Sequence, residues 1–257
     1  MFEKIIILLK KELQIEARII EDIQKLAGNS EVKIIAFNEL KKEDLKAANL
    51  IITMGGDGTF VKAGNLIEDS LILGINAEPN TSEGALTSLT VNEIDKLNDI
   101  FHGKFQVMTR QRARVKLNEK ILDEHALNEV YVGSASQFHS SRYKIKFKEK
   151  EEEHRSSGII VSTGTGSPAW FYSAGGEIFK HDEEKLAFII REPYFGKRIF
   201  KPSILKGHIN KGEKLIIESK RDFGGIIAIN DSTYNFNTGD KVEIGVSDKP
   251  LRVIVLR

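Results

Sequence analysis

Three glycines, one carboxylate and one hydroxyl stand together in the run Gly55-Gly56-Asp57-Gly58-Thr59, shortly after the apolar residues 50–52. Glycines at the end of a buried strand let backbone N–H groups approach an anion closely, and a following helix adds the positive end of its dipole. A carboxylate would repel a phosphate bound there. Asp57 is therefore expected either to accept a proton from a hydroxyl group or to share a cation with bound phosphates.

The structural alternative for residues 55–59 is a tight strand-to-helix turn in which Asp57 or Thr59 caps the helix. Gly-Gly alone would favour that alternative. The full five-residue run after a predicted strand favours a phosphate-binding loop.

Two further polar groups could bind a ligand. Asn128 and Glu129 could hydrogen-bond a base edge and ribose hydroxyls, although such a pair is more often a solvated strand end. The apolar residues 158–161 lead into Ser162-Thr163-Gly164-Thr165-Gly166-Ser167, whose N–H groups and hydroxyls could bind an anion or a ribose, or could form a flexible loop.

Other segments have simpler interpretations. Residues 76–84 indicate a surface loop, and residues 149–153 a short charged turn. Arg110 and the basic residues that alternate after it, up to position 116, could face phosphate but more often form a solvated sheet face. Pro168 suits the first turn of a helix, whereas Trp170 favours core packing over covering a base.

The elements that must position these groups change character near residue 103. Before it, strand-like runs alternate with helix-like ones. The sequence predicts strands at 4–9, 32–37, 50–53 and 71–75, and helices at 13–26, 42–48, 60–67 and 94–101. This order implies a parallel sheet with helices on its faces, an α/β, Rossmann-like domain over residues 1–103. Residues 55–59 and 76–84 fall at the carboxyl ends of strands, where such sheets bind ligands.

From residue 104 the sequence predicts strands almost throughout, with a hairpin turn at Asn118-Glu119 and a helical turn only at 168–173. The predicted strands are 107–117, 143–147, 158–162, 186–190, 214–218, 225–229, 234–236, 241–246 and 251–256. They predict an all-β domain of two packed sheets, a β-sandwich over residues 104–257, whose last residues could return to the first domain.

Composition excludes several classes of protein. The 257 residues include 38 basic and 37 acidic side chains, and a net charge of +1 gives no electrostatic case for nucleic acid or an anionic membrane. There is no cysteine, which excludes disulfides and thiolate metal sites, and the six histidines lack metal-ligand spacing, so no protein metal site is predicted. The apolar residues 5–9 are too few to span a bilayer, and no secretory or transit pattern is seen, so we expect a cytoplasmic protein.

Together, the run at 55–59, the Asn128-Glu129 pair and residues 162–169 resemble the NAD kinase family. The first run also occurs in diacylglycerol and sphingosine kinases, and in related form in phosphofructokinases, whereas the other two are more specific. The resemblance spans the chain from about residue 50 to its end. Within the family it looks closest to the mitochondrial-type branch of animals, through Ser82-Glu83-Gly84, Ala169-Trp170 and Arg191-Glu192-Pro193.

The chain departs from the commoner bacterial pattern of the family. Ser157-Gly158 stands where that pattern has Asp-Gly, which removes a carboxylate expected near the dinucleotide. Three other positions also differ. The bacterial pattern has Thr-Pro-Thr-Gly where this chain has Thr163-Gly164-Thr165-Gly166, and Thr-Ala-Tyr where it has Pro168-Ala169-Trp170. It has a second Asp-Gly where this chain has Asp231-Ser232.

The resemblance implies transfer of the ATP γ-phosphoryl group to the 2′-hydroxyl of the adenosine ribose of NAD, or NADH, with Mg²⁺ carried mainly by the phosphates. Asp57 would be the base, and Gly55, Gly56, Gly58 and Thr59 would bind the donor. The candidate dinucleotide contacts are Asp57, Gly58, Asn128, Glu129, Arg155, Ser157, Thr165, Pro168, Ala169, Trp170 and Ser173. Trp170 matches an aromatic position that reaches a neighbouring subunit, which implies a homodimer or homotetramer.

Two other functions fit part of this pattern. A lipid or diacylglycerol-type kinase would share residues 55–59, but the sequence has no amphipathic segment for gathering a lipid. A non-catalytic dinucleotide sensor would need the binding residues without the base, so the presence of Asp57 disfavours it.

Overall fold

The computed structural model describes residues 2–10, 17–136, 138–199 and 201–256, without the side chain of Lys42. Contacts between Cα atoms divide the chain into a first unit, Met1–Thr109 with Leu251–Arg257, and a second unit, Arg110–Pro250. The domain division predicted at residue 103 stays a prediction. Leu13, in the first turn of the predicted helix 13–26, lies outside the described residues.

The described secondary structure, in chain order, consists of strands, four helices and a few short helical turns. The strands are β1 (Lys4–Leu9), β2 (Glu31–Ala36), β3 (Leu50–Met54), β4 (Leu71–Asn76), β5 (Leu89–Thr90), β6 (Gln106–Arg110), β7 (Ala113–Leu117), β8 (Lys120–Ala126), β9 (Glu129–Ser134), β10 (Ser141–Phe147), β11 (Lys150–Ser156), β12 (Gly158–Ser162), β13 (Lys185–Arg191), β14 (Lys206–Asn210), β15 (Leu215–Ser219), β16 (Gly225–Ile229), β17 (Ser232–Asn235), β18 (Lys241–Val246) and β19 (Leu251–Val255). The helices are α1 (Ala17–Ala27), α2 (Lys42–Ala47), α3 (Asp57–Leu66) and α4 (Leu97–Phe101), and the helical turns are Phe37–Glu39, Val91–Lys96 and Ser167–Phe171. None of the described helices is long and apolar enough to cross a membrane.

The first unit is built on a sheet with the strand order β2-β1-β3-β4-β19-β6, and β5 pairs with β4. Strands β1 to β4 and β19 pair in parallel, and the apolar runs of the inner strands β1, β3 and β4 are buried, as expected where both faces of a sheet are covered. In the register, Leu9 pairs with Met54 and Met54 with Ile75. The loops that follow β3 and β4 therefore leave the sheet at the same edge.

The second unit contains two six-stranded sheets, ordered β11-β10-β15-β18-β7-β8 and β14-β13-β12-β9-β16-β17. All their strand pairs are antiparallel. Alternate residues of both sheets, such as Val130 and Val132 on β9 and Ile145 on β10, form one buried apolar core. The predicted fold class, an α/β part with a parallel sheet plus a β-sandwich, is confirmed.

Two sequence interpretations were wrong in detail. Residues 107–117 are not one strand with a solvated basic face, because β6 belongs to the first sheet, β7 belongs to another, and Arg112 between them is fully buried. Its guanidinium group donates to the carbonyl of Lys249, so the charge is stabilised by hydrogen bonding rather than by water.

Residues 149–153 do not form a charged turn. Most of them belong to β11, an edge strand paired with β10, and Glu152 points to the same side as the buried His154. The carboxylate of Glu152 accepts hydrogen bonds from His154 and from the backbone of Ser203 and Ile204. By contrast, the hairpin turn at Asn118-Glu119 is confirmed, because Leu117 pairs with Lys120 across it.

Candidate functional site

Residues 55–59 connect β3 to α3, and the helix begins at Asp57, within the glycine run. A Cβ atom on Gly55 would lie 2.5 Å from Thr59 Oγ1, and one on Gly56 would lie 2.6 Å from Ser82 Oγ. Gly58 is exposed, and a Cβ atom there would meet nothing within 4 Å. Two of the glycines thus permit close packing within the protein, whereas Gly58 leaves open space in front of the first turn of α3.

The Asp57 carboxylate is held by two backbone donors. Its Oδ1 accepts the N–H of Leu86 at 2.8 Å, and its Oδ2 accepts the N–H of Ala85 at 3.1 Å. Asp57 does not cap α3, because it is the first residue of the helix and the N-cap position is occupied by Gly56. Ala85 and Leu86 carry no side-chain signal for this role, and sequence reasoning missed both.

The loop after β4 is anchored rather than merely lying on the surface. The buried Asn76 side chain donates to the carbonyl of Ser82 at 2.9 Å and accepts the N–H of Glu78 at 3.1 Å. Gly84 adopts a φ of +63°, and a Cβ atom there would lie 2.5 Å from Asn76 Nδ2. This left-handed residue directs the following N–H groups of Ala85 and Leu86 towards Asp57.

In the second unit, residues 163–167 lie directly on the backbone before β9. The N–H of Thr163 donates to the carbonyl of Asn128 at 2.9 Å, and the Thr163 hydroxyl donates to the carbonyl of Leu127. A Cβ atom on Gly166 would lie 2.4 Å from the Asn128 carbonyl oxygen. The structure therefore brings the predicted Asn128-Glu129 pair and the predicted Gly/Ser/Thr loop together.

The other side of this loop is packed as well. A Cβ atom on Gly164 would lie 2.0 Å from the carbonyl oxygen of Lys180. The buried Ser167 hydroxyl hydrogen-bonds the carbonyl of Gly164 at 2.9 Å and accepts the N–H of Phe179 at 3.1 Å. Residues 163–167 thus form a tightly packed loop rather than a flexible one.

Two buried acceptor atoms lie beside this loop. Neither Asn128 Oδ1 nor Glu129 Oε2 has a hydrogen-bond partner among the described residues. Burial raises the pKa of the Glu129 carboxyl group. In the sheet, Glu129 pairs with Ser162, the residue just before the loop. Buried polar atoms are nearly always paired in folded proteins, so these two are suited to a ligand that brings donors.

Trp170 is not core, contrary to the expectation from its residue type. It is 39% exposed, its ring centroid lies 5.5 Å from that of Tyr131, and the Arg191 guanidinium lies 5.1 Å from its ring. Pro168 lies in the first turn of the short helical segment, as predicted, and both it and Ala169 are exposed. The exposed Ser173 lies two residues after this segment, and the half-buried Thr165 lies in the loop before it.

Ser157 lies directly before β12, beside Tyr131, whose ring packs on that of Trp170. Its carbonyl accepts the Tyr131 hydroxyl at 2.7 Å, and its own hydroxyl donates to the carboxylate of Glu192. A carboxylate thus adjoins the serine that departs from the Asp-Gly pattern. Arg155, two residues earlier, lies on β11 of the other sheet, where its carbonyl accepts the N–H of Tyr194 at 2.8 Å.

Among the described residues, no group of three or more histidine, aspartate or glutamate side chains could hold a metal ion. The acidic groups of the two candidate regions, Asp57 and Glu129, are single carboxylates. A divalent cation used here would therefore need most of its ligands from a bound phosphate compound.

No family model matches the chain. It is 28% identical to a probable NADH kinase of Oryza sativa subsp. japonica over 232 residues, covering 81% of this chain and 71% of that protein. It is 26% identical to an NAD kinase of Caldicellulosiruptor saccharolyticus over 258 aligned residues, covering 96% of this chain and 91% of that protein.

The fold has a solved counterpart. An NAD kinase from Archaeoglobus fulgidus, determined in complex with ATP, superposes with a TM-score of 0.73 at 23% identity, over 97% of this chain and 92% of that chain. Its likeness concerns the fold, while the sequence relatives match along most of their length. The runs at 55–59, 128–129 and 162–169 lie at strand ends and in the adjoining loops, and the chain is similar to NAD kinases along most of its length.

Proposed function

We propose that this protein transfers the γ-phosphoryl group of ATP to the 2′-hydroxyl of the adenosine ribose of NAD or NADH. The observation that carries the proposal is a pair of buried acceptors, Asn128 Oδ1 and Glu129 Oε2, which have no partner within the described part of the chain and lie against the packed loop 163–167. An adenosine moiety offers an exocyclic amino group and ribose hydroxyls, which are the donors that these acceptors require. The names of the relatives support the same substrate class.

The dinucleotide roles follow from this pairing. Glu129 accepts a hydrogen bond from a ribose hydroxyl, and Asn128 binds the base edge. Thr165, Ala169 and Ser173 line the adenine and ribose, with Pro168 and Trp170 at their side. Arg155 and Ser157 are assigned to the remaining half of the dinucleotide, where Glu192 adds a carboxylate to the serine hydroxyl.

Asp57 is the general base in this proposal. The N–H groups of Ala85 and Leu86 each occupy one carboxylate oxygen, which fixes the orientation of the group and leaves lone pairs on both oxygens. General-base catalysis contributes about 10²–10⁴-fold in rate. The rest of the acceleration comes from positioning the two substrates and stabilising the charge of the transferred group.

The donor phosphates are assigned to residues 55–59, with Gly55, Gly56, Gly58 and Thr59 at the first turn of α3. Gly58 offers the open approach, since a Cβ atom there would meet nothing within 4 Å. Gly55 and Thr59 are buried, so they support the turn from behind. Mg²⁺, carried by the phosphates, would neutralise charge on the triphosphate.

We further propose a cytoplasmic homodimer or homotetramer. The exposed side of Trp170 supports an oligomer, because a large aromatic ring that is partly open to solvent is well suited to contact a second chain or its ligand. Size-exclusion chromatography with light scattering measures the subunit number directly, and a monomer at working concentration would contradict this part of the proposal.

An assay of NADP formation tests the reaction. We expect turnover with ATP and NAD, and the same assay with polyphosphate as donor and NADH as acceptor defines the substrate range. A parallel reaction with diacylglycerol in place of NAD should give no product. Turnover of the lipid, or tight NAD binding without any phosphoryl transfer, would instead support the lipid kinase or the sensor.

The variant Asp57→Asn tests the base. Removing the carboxylate charge should lower kcat by about 10²–10⁴-fold while the Kd for NAD changes much less. Asp95→Asn is the matched control, since Asp95 is an exposed aspartate of the first unit. A kcat for Asp57→Asn close to that of the control would show that Asp57 is not the base.

A further inference from the structure

Arg110 is a cation that the roles proposed above do not use. It is the last residue of β6 and the first residue of the second unit, and it is half-buried. Its Nη1 atom lies 3.4 Å from the hydroxyl oxygen of Thr165, in the middle of the packed loop 163–167. A hydrogen bond of that length is weak, and a phosphate oxygen would be a stronger acceptor for the same guanidinium group.

Backbone contacts fix this position. The N–H of Gln111, the next residue, donates to the carbonyl of His181 at 2.8 Å. The space that a side chain on Gly164 would fill is occupied by the backbone of Lys180 and His181. Arg110 is thereby held against the same loop that lies on the Asn128 backbone.

The positive charge at this place belongs to Arg110 rather than to the neighbouring histidine. Burial lowers the pKa of His181, and the nearby charge of Arg110 lowers it further, so the imidazole stays neutral at pH 7. Arg191, another cation of this unit, lies over the Trp170 ring. Arg110 is therefore a charged side chain in direct contact with the loop that lines the proposed adenosine pocket.

We propose that Arg110 binds a phosphate group of the dinucleotide bound beside loop 163–167. This inference rests on the proposed function and extends it to a residue with no assigned role. A guanidinium group presents a planar fork of N–H donors that matches two phosphate oxygens, and charge-assisted bonds of this kind are stronger than the bond to a hydroxyl. Thr165 Oγ1 holds the fork near the pocket until a phosphate takes its place.

The test compares Arg110→Gln with the wild-type protein by titration calorimetry against NADP, NAD and adenosine. Loss of one charge-assisted contact, about 1.5–3 kcal/mol, should weaken binding of a phosphate-bearing ligand by roughly 10–150-fold. The Kd for adenosine, which has no phosphate, should change by less than about twofold. Arg142→Gln is the matched control, since Arg142 is an exposed arginine on β10.

The three ligands separate the possible sources of phosphate. Weakening of NADP and NAD alike assigns Arg110 to the pyrophosphate, and weakening of NADP alone assigns it to the 2′-phosphate; both results support the proposal. An equal loss for adenosine would show that Arg110 only supports the fold of the loop, and unchanged binding of all three would exclude a ligand contact. Either result overturns the proposal, as does a wild-type protein that binds no dinucleotide.

Arg110→Lys provides a second test in case Arg110→Gln does not fold. Lysine keeps the charge but loses the fork, so binding of NAD or NADP should fall measurably and by less than in Arg110→Gln. If Arg110→Gln does not fold and Arg110→Lys does, a Kd for NAD and NADP in Arg110→Lys equal to that of the wild-type protein overturns the proposal. These titrations measure binding without turnover. If the protein binds NADP through Arg110 but does not form NADP from NAD, the proposed reaction is contradicted and the proposed role of Arg110 is not.

Discussion

Gly58 in the glycine-containing loop of the first unit and the two glycines of the loop in the second unit serve opposite purposes. In the second unit, two glycines pack against backbone carbonyl groups. A Cβ atom on Gly164 would lie 2.0 Å from the carbonyl oxygen of Lys180, and one on Gly166 would lie 2.4 Å from that of Asn128. In the first unit, Gly58 faces open space. A glycine in a motif can thus admit either a ligand or the protein's own backbone, and only the fold distinguishes the two.

The difference extends to how each loop holds its polar groups. In the first unit, the Asp57 carboxylate is satisfied by two N–H groups of the protein. In the second unit, Asn128 and Glu129 each keep a buried acceptor atom without a partner among the described residues. The carboxylate of the first loop is therefore oriented by the protein itself, whereas Asn128 and Glu129, beside the second loop, keep acceptors that a ligand could pair.

The largest effect expected from this comparison concerns Gly164. Gly164→Ala places a methyl group on backbone atoms that cannot move aside cheaply, so the free energy of unfolding should fall by about 1–3 kcal/mol or more. Denaturant unfolding followed by fluorescence measures it, because Trp170, the one tryptophan of the sequence, reports on the second unit. Stability equal to that of Gly58→Ala would remove the distinction between the loops.

Gly58→Ala should have the complementary effect. The free energy of unfolding should stay constant or rise by up to about 1 kcal/mol, because alanine is the better helix former. The KM for ATP should rise by roughly tenfold, a loss of about 1.4 kcal/mol, as the methyl group keeps phosphates from the backbone. A KM for ATP that stays at the wild-type value would place the donor elsewhere.

A smaller effect should appear on acidification. Burial lowers the pKa of His154 and of His181 in the second unit, whereas His102 of the first unit is exposed. Below the unfolded pKa of about 6.5 the unfolded chain binds protons that the native chain does not, so the second unit loses stability as the pH falls. Glu129, whose pKa is raised, opposes this trend.

Hydrogen exchange, corrected for intrinsic rates, measures both units at pH 7.5 and 5.5. Protection should fall in the second unit, and His154→Gln should reduce the pH dependence even if it lowers stability at both values. An equal loss of protection in the first unit, or an unchanged slope in His154→Gln, would show that buried histidines are not the cause.

Local patterns were enough for the parts of the fold that are locally determined. The apolar run at 4–9 predicted β1, and the glycine run after β3 predicted a strand-to-helix loop. The prediction of a charged turn at residues 149–153 was wrong because the inward face of β11 carries two polar side chains, Glu152 and His154. They hydrogen-bond each other, and Glu152 also accepts a hydrogen bond from the distant Ile204. Hydrophobic alternation is not visible in a strand of that kind.

The site was predictable to the extent that side chains define it. Asn128, Glu129 and loop 163–167 were singled out, and the structure brings them together. The backbone donors to Asp57 come from Ala85 and Leu86, 28 and 29 residues away, and backbone groups leave no trace in a sequence. Arg110 was noticed only as one member of a basic alternation, because its contact with Thr165 spans 55 residues.

The position of β19 has a consequence for the order in which the protein is made. This strand lies between β4 and β6, yet it is formed by Leu251–Val255, near the end of the sequence. On the ribosome, every residue of the second unit is synthesised before the first unit's sheet can be completed. The nascent chain therefore holds an unfinished sheet while a later-made sandwich can already close, the reverse of the usual N-terminal-first order of folding.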